Sequence, residues 1–265
     1  MSLNSSDDIE SLDPYSPKNK LSLLRRCLMI IALPAWVYIS FMIAQLLASA
    51  ILLALESMQV PVRSLNENIF ATIVSTFVYI LTLTIVIGLP AIIKKHKIDF
   101  NSFGLRRLPS WVDIIMAPVG LIVYFVISVI LVTLATSFIP GFDATETQST
   151  GFSQLFDRYE YVLAFITLVV VAPVAEEILF RGYLFGRLKK YVPIWVAVLA
   201  TSVLFGLIHG AWNLALDTFA LSIVLCVLRQ TTGSLWAPIL LHMTKNSIAF
   251  YILFINPLLF HTLGG

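Results

Sequence analysis

Apolar residues run along this chain in seven long blocks, near residues 27–55, 69–93, 114–139, 161–185, 192–208, 212–228 and 235–255. Each approaches or exceeds the roughly 20 residues an α-helix needs to cross the hydrocarbon core of a bilayer. Backbone N–H and C=O groups cannot stay unpaired in lipid, so helices are the natural spanning form. The alternating ten-residue pattern of a membrane barrel is absent. The pattern predicts an all-α, polytopic helical membrane protein with about seven transmembrane helices, or eight if the apolar residues 256–265 add a short one. Composition agrees: the chain is 58% hydrophobic and 12% charged, where soluble domains carry about 25% charged residues.

The polar pieces between the blocks suggest an organisation. Residues 1–22 are rich in Ser, Asp and Pro and are expected to be a disordered cytoplasmic tail. The uncharged run from Cys27 to Leu55 is 29 residues long, well beyond the roughly 7–15 of a signal-peptide core, so it reads as a retained first span. Residues 98–113 mix Phe100, Phe103, Leu105 and Trp111 with Arg106 and Arg107, the pattern of a link lying at the membrane interface. The polar stretch 140–160 divides N-terminal helices (23–140) from a four-segment core (160–255). Cys27 and Cys226 lie far apart and form no CxxC pair, so both read as small apolar fillers. No internal repeat or glycine-rich nucleotide loop is present, and no nucleic-acid partner is expected; oligomeric state is not encoded in any visible pattern.

Charge changes the picture by orienting it. With the N-terminus inside, the inner pieces hold Lys18, Lys20, Arg25, Arg26, Lys94, Lys95, Lys97, Arg106, Arg107, Arg187, Lys189, Lys190 and Arg229. The outer pieces hold only Arg63 and Arg158. That asymmetry predicts an integral protein of the cell's inner or plasma membrane with a cytoplasmic N-terminus.

Ionisable groups within a membrane helix are costly and call for an explanation. The fourth block contains Glu176, Glu177 and Arg181. Glu177 and Arg181 stand at i,i+4 with the glutamate first, the favourable order for a helical ion pair. Glu176 lies about 100° round the helix and has no local cation, so it is free to act as a base. The fifth block ends in Phe205-x-x-x-His209, and the seventh carries His242 and Asn246 on one face at i,i+4. Each alone suits an ion-pair cluster or an interhelical hydrogen bond. Together they supply what peptide hydrolysis needs: a base for water, a proton donor for the leaving amine and donors for the oxyanion. Ser202 and Ser247 lack a nearby base, and no G-x-S-x-G elbow is present. A non-catalytic immunity or scaffold protein could keep the same residues. A proton-coupled transporter could use Glu and His as a relay, but no inverted repeat supports it.

Glu176-Glu177-x-x-x-Arg181, Phe205-x-x-x-His209 and His242-x-x-x-Asn246, with Thr232–Pro238 ahead of the third motif, resemble the CPBP family of type II CAAX prenyl endopeptidases and bacteriocin-processing or immunity proteins. The resemblance covers about 160–255, with a looser echo near 100–113. It implies a glutamate-type intramembrane endopeptidase acting on a membrane-associated peptide. By the same resemblance, Glu176 with His209 would activate water, His242 with Asn246 would hold the oxyanion, and Glu177, Arg181 and Phe205 would support them.

Zinc is the alternative cofactor, since Glu176, His209 and His242 make a conceivable His₂Glu set. No H-E-x-x-H is present, and His96 and His261 lie outside the core segments. Asn246 is a poor zinc ligand and a good oxyanion donor, so no cofactor is expected. Depth gives a further expectation. At about 1.5 Å per residue, Glu176, His242 and Asn246 fall within roughly 12–18 Å of the inner edge, whereas His209, counted from Val192, falls about 10 Å too far out. The fifth helix must therefore start below the surface, tilt or break. Reporter fusions test the orientation: fusions after residues 95 and 190 should report the cytoplasm, and one near residue 150 the opposite side.

Overall fold

The computed structural model describes residues 17–95, 97–105, 108–144, 146, 150–152 and 154–258. The expectations for residues 1–16, His96, Arg106, Arg107 and the C-terminal 259–265 lie outside these. All regular structure among the described residues is helical. Eight helices follow in order: α1 (Pro17–Ser57), α2 (Glu67–Ile93), α3 (Phe100–Phe103), α4 (Trp111–Phe138), α5 (Arg158–Leu188), α6 (Ile194–Leu207), α7 (Trp212–Thr232) and α8 (Trp236–Ile255). Six of them (α1, α2, α4, α5, α7 and α8) are long and apolar enough to cross a membrane, and the protein is an integral membrane protein.

The fifth apolar block forms α6, which has 14 residues and so extends only about 21 Å. It is unbroken, and Gly210 ends it with φ +83° before the chain turns into α7. Of the three ways to reconcile His209 with the depth of the other motifs, a break is thus not the one used.

Polar caps start α2, α4 and α5. Asn66 accepts from the backbone of Asn68 and Ile69 at the head of α2, and Ser110 and Asp113 form a capping box at the head of α4. Glu160, in the first turn of α5, accepts from the backbone N–H groups of Phe156 and Asp157 and from the Asn66 amide. One carboxylate thereby ties the start of α5 to the start of α2.

Burial separates the helices into a centre and a rim. Half of the most apolar stretch of α5 and of α7 is buried, against 11–17% for α1, α2 and α4. The rim helices present Leu, Ile and Val outward, as lipid contact requires. Helix α4 packs on α7 and α8, α6 on α7, and α2 on α1 and α5. Phe103 of α3 turns inward, where a Cβ on Gly182 would lie 2.9 Å from its ring, while Phe100 and Trp111 are exposed. Cys226 is buried, whereas Cys27 lies on the exposed face of α1 rather than in a packed interior.

Helix α5 is irregular where the chemistry is expected. Two π-helical stretches, Ile166–Val171 and Ile178–Phe185, flank the α-helical Ala172–Glu177. The Ala172 N–H donates to the Thr167 carbonyl in the π register. The next donor in that register would be residue 173, a proline with no N–H. The Leu168 carbonyl it leaves open accepts instead from Asn246 Nδ2 at 2.9 Å. A break in one helix's ladder becomes a bond between α5 and α8.

Gly206 permits the tight approach of α6 to α7, since a Cβ there would stand 2.6 Å from the Ala215 carbonyl oxygen. Gly206→Ala should destabilise the protein by about 1–3 kcal/mol, read as a lowered melting temperature in detergent. Gly88→Ala, whose Cβ would meet only Thr84 at an ordinary 3.6 Å, should not.

Candidate active site

Glu177 is the hub of the site. Its Oε1 accepts from Arg181 Nη1 at 2.9 Å and from His242 Nδ1 at 2.9 Å, and the Glu177 and Arg181 side chains are fully buried. The π stretch begins just after Glu177 but leaves the i,i+4 pair intact. The guanidinium carbon of Arg181 lies 4.4 Å from the Phe205 ring centroid, a cation–π contact that is strong when desolvated. Phe205 also meets Phe180 and His209 edge-on at 4.9 Å and His242 at 6.0 Å. The buried cation thus contacts both a carboxylate and an aromatic ring.

Glu176 is not as isolated as helix geometry alone suggests. Its Oε2 faces His242 Nε2 at 3.8 Å, and its Oε1 accepts from the Tyr79 hydroxyl at 2.6 Å. His242 therefore lies between the two adjacent glutamates, one on each ring nitrogen. Tyr79 comes from α2, outside the segments where the sequence motifs lie. Ser75, Tyr79 and Thr82, spaced to share one face of an apolar helix, were the signal for it.

The two histidines have defined tautomers. His209 Nδ1 sits 2.6 Å from the Phe205 carbonyl oxygen; an oxygen there can only accept, so Nδ1 carries the proton. His242 Nδ1 faces the Glu177 carboxylate and carries one for the same reason. Each ring keeps Nε2 for other work, and such fixed second bonds are how imidazoles are oriented for catalysis.

Glu176, His209, His242 and Asn246 line one cavity of about 750 Å³, with Tyr79, Asp217 and Lys245 also on its wall. Lys245 pairs with Asp217 at 3.0 Å, and Asp217 also accepts from the Tyr124 and Ser128 hydroxyls of α4. The structure thus gathers all four reactive candidates at one cavity, and the three supporting ones lie behind them. Among the described residues no three His, Cys, Asp or Glu side chains converge on a point that could hold a metal ion.

Comparison with known proteins bears on this cavity. Residues 158–248 match the family described as type II CAAX prenyl endopeptidase Rce1-like. YdiL of Bacillus subtilis (strain 168), named as a candidate membrane peptidase, is 33% identical over 85 residues, which are 32% of this chain and 35% of YdiL. A 24.3 kDa uncharacterised protein of Escherichia coli is 31% identical over 94 residues, covering 34% of this chain and 43% of its own length. MroQ of Staphylococcus aureus (strain USA300), named a membrane-embedded CAAX protease, is 26% identical over 94 residues, 33% of this chain and 38% of MroQ. The matched stretch thus spans less than half of each of these relatives. No solved structure matches the chain at a significant level. All seven motif residues fall inside the matched stretch, and Tyr79 falls outside it.

Removing Arg181 would leave Glu177 as an uncompensated buried charge. Arg181→Ala should cost about 3–5 kcal/mol of stability, and Arg181→Ala combined with Glu177→Gln should recover part of that loss. Unfolding in detergent by intrinsic fluorescence measures both.

Proposed function

We propose that this chain, whose residues 158–248 match the Rce1-like family of type II CAAX prenyl endopeptidases, is an intramembrane endopeptidase hydrolysing a membrane-associated peptide or protein. The observation that carries the reading is the convergence of Glu176, His209, His242 and Asn246 from three separate segments on one cavity. Membrane-associated CAAX-type or bacteriocin-like peptides are the substrates the family suggests first.

The geometry supports a division of labour. With Nδ1–H committed to the Phe205 carbonyl, His209 offers Nε2 as an acceptor to a water shared with Glu176. The water oxygen adds to the scissile carbonyl carbon as its proton passes to Glu176 or His209. The C=O π electrons move to oxygen and form an oxyanion. Asn246 gives one amide hydrogen to Leu168 and keeps the second for that oxyanion. In its imidazolium form His242 donates to the same oxyanion from Nε2, with Glu177 on its Nδ1. The tetrahedral intermediate then expels the amine, which takes the proton the base had accepted. Nothing in this sequence of steps needs a metal ion, and we propose a metal-free reaction.

Purified protein in detergent or liposomes, given a panel of lipid-modified and unmodified peptides, tests the reading. Glu176→Gln and His209→Ala should each lower the cleavage rate by about 10²–10⁴-fold. Asn246→Ala should lower it by about 10²–10³-fold. Cleavage that survives both base substitutions would exclude the mechanism, and with it favour a scaffold or transport role. A chelator should leave the wild-type rate unchanged.

A further inference from the structure

A second, smaller chamber lies behind Glu176. It encloses about 140 Å³ between α1, α2, α5 and the end of α6. Its apolar walls include Val37, Phe41, Leu179 and Phe180, and its polar groups include Glu176, His209, Tyr79 and Thr82. Val37, Thr82 and Phe180 on its wall are each 1% exposed, whereas Tyr38, also on its wall, is 44% exposed, so the chamber is walled by core residues except on the α1 side. Glu176, His209 and Tyr79 are common to this chamber and to the large cavity. Those three side chains form the partition between the two spaces.

Phe41 and Tyr79 also border a cleft of about 390 Å³ between α1 and α2, which contains the polar side chains Gln45, Ser49 and Ser75. Phe41 and Tyr79 thus stand between this cleft and the chamber behind Glu176.

We propose that the rear chamber is a binding site for the hydrolytic water. The inference rests on the endopeptidase reading and gives its water a place. A peptide lying in the large cavity would cover Glu176 from the front and displace the water there. A buried water is held when two to four polar groups reach it and the space accommodates it. The chamber meets both conditions. Glu176 and His209 present a carboxylate and an imidazole. Thr82 Oγ1 donates its own proton to the Val78 carbonyl and so keeps lone pairs for a water hydrogen. Tyr79 spends its proton on Glu176 and likewise keeps lone pairs. Water held there meets its base before it meets the substrate, and the N-terminal helices, which lie outside the matched stretch, acquire a part in the reaction.

The test separates kcat from KM. Val37→Met extends a side chain into the chamber and should lower kcat about tenfold or more, equivalent to 1.4 kcal/mol, with KM within about twofold of wild type. Thr82→Val removes one water contact at nearly constant shape and should lower kcat about fivefold, the effect of one hydrogen bond, again at constant KM. Should Val37→Met fail to fold, Thr82→Val decides alone. Wild-type kcat in a variant that purifies and melts like wild type overturns the chamber, as does a rise in KM that accounts for the loss. Wild-type protein that cleaves no peptide, or cleavage equal to wild type in Glu176→Gln, overturns the endopeptidase reading and the chamber with it.

Discussion

One buried carboxylate organises the centre of this membrane protein. Glu177 and Arg181 are both fully buried, in a bundle whose surroundings are lipid. A charge there is tolerable only if its partner is close and fixed. Arg181 cannot shed its proton, so Glu177 must stay and must face it. That requirement leaves Glu177 able to take a second donor, His242, and fixes which nitrogen of that ring is left for chemistry. Phe205 completes the arrangement by covering the guanidinium, and its carbonyl fixes His209. Three helices are thereby tied to one ion pair, and His242 owes its tautomer to it.

The irregular turns of α5 serve the same centre. Pro173 lacks the N–H that the Leu168 carbonyl needs, and the Asn246 side chain supplies a donor. The cost of an unpaired backbone group in lipid makes that bond obligatory in practice, so α8 is held against α5 at the level of the carboxylates. Asn246 is then a structural strut and a potential oxyanion donor at once. At the other side, Tyr79 holds Glu176 from α2. The carboxylate of Glu176 is oriented by a helix that no motif singled out.

The apolar blocks and the charged residues among them determined the membrane-spanning helical class and the identities of the residues that now line one cavity. This was possible because lipid permits few backbone solutions and makes every buried charge conspicuous. The i,i+4 pairing of Glu177 with Arg181 was readable too, since helical geometry is local. What only the tertiary structure decided is how separate helices meet. Sequence spacing placed His209 too far from Glu176 because it counted depth along each helix separately, whereas the packing of α6 brings His209 and Glu176 to the wall of one cavity. Glu176 looked unpartnered because its partners, Tyr79 and His242, stand 97 and 66 positions away. Hydrogen bonds across that much chain depend on packing between helices, and periodicity along a single helix does not carry that information.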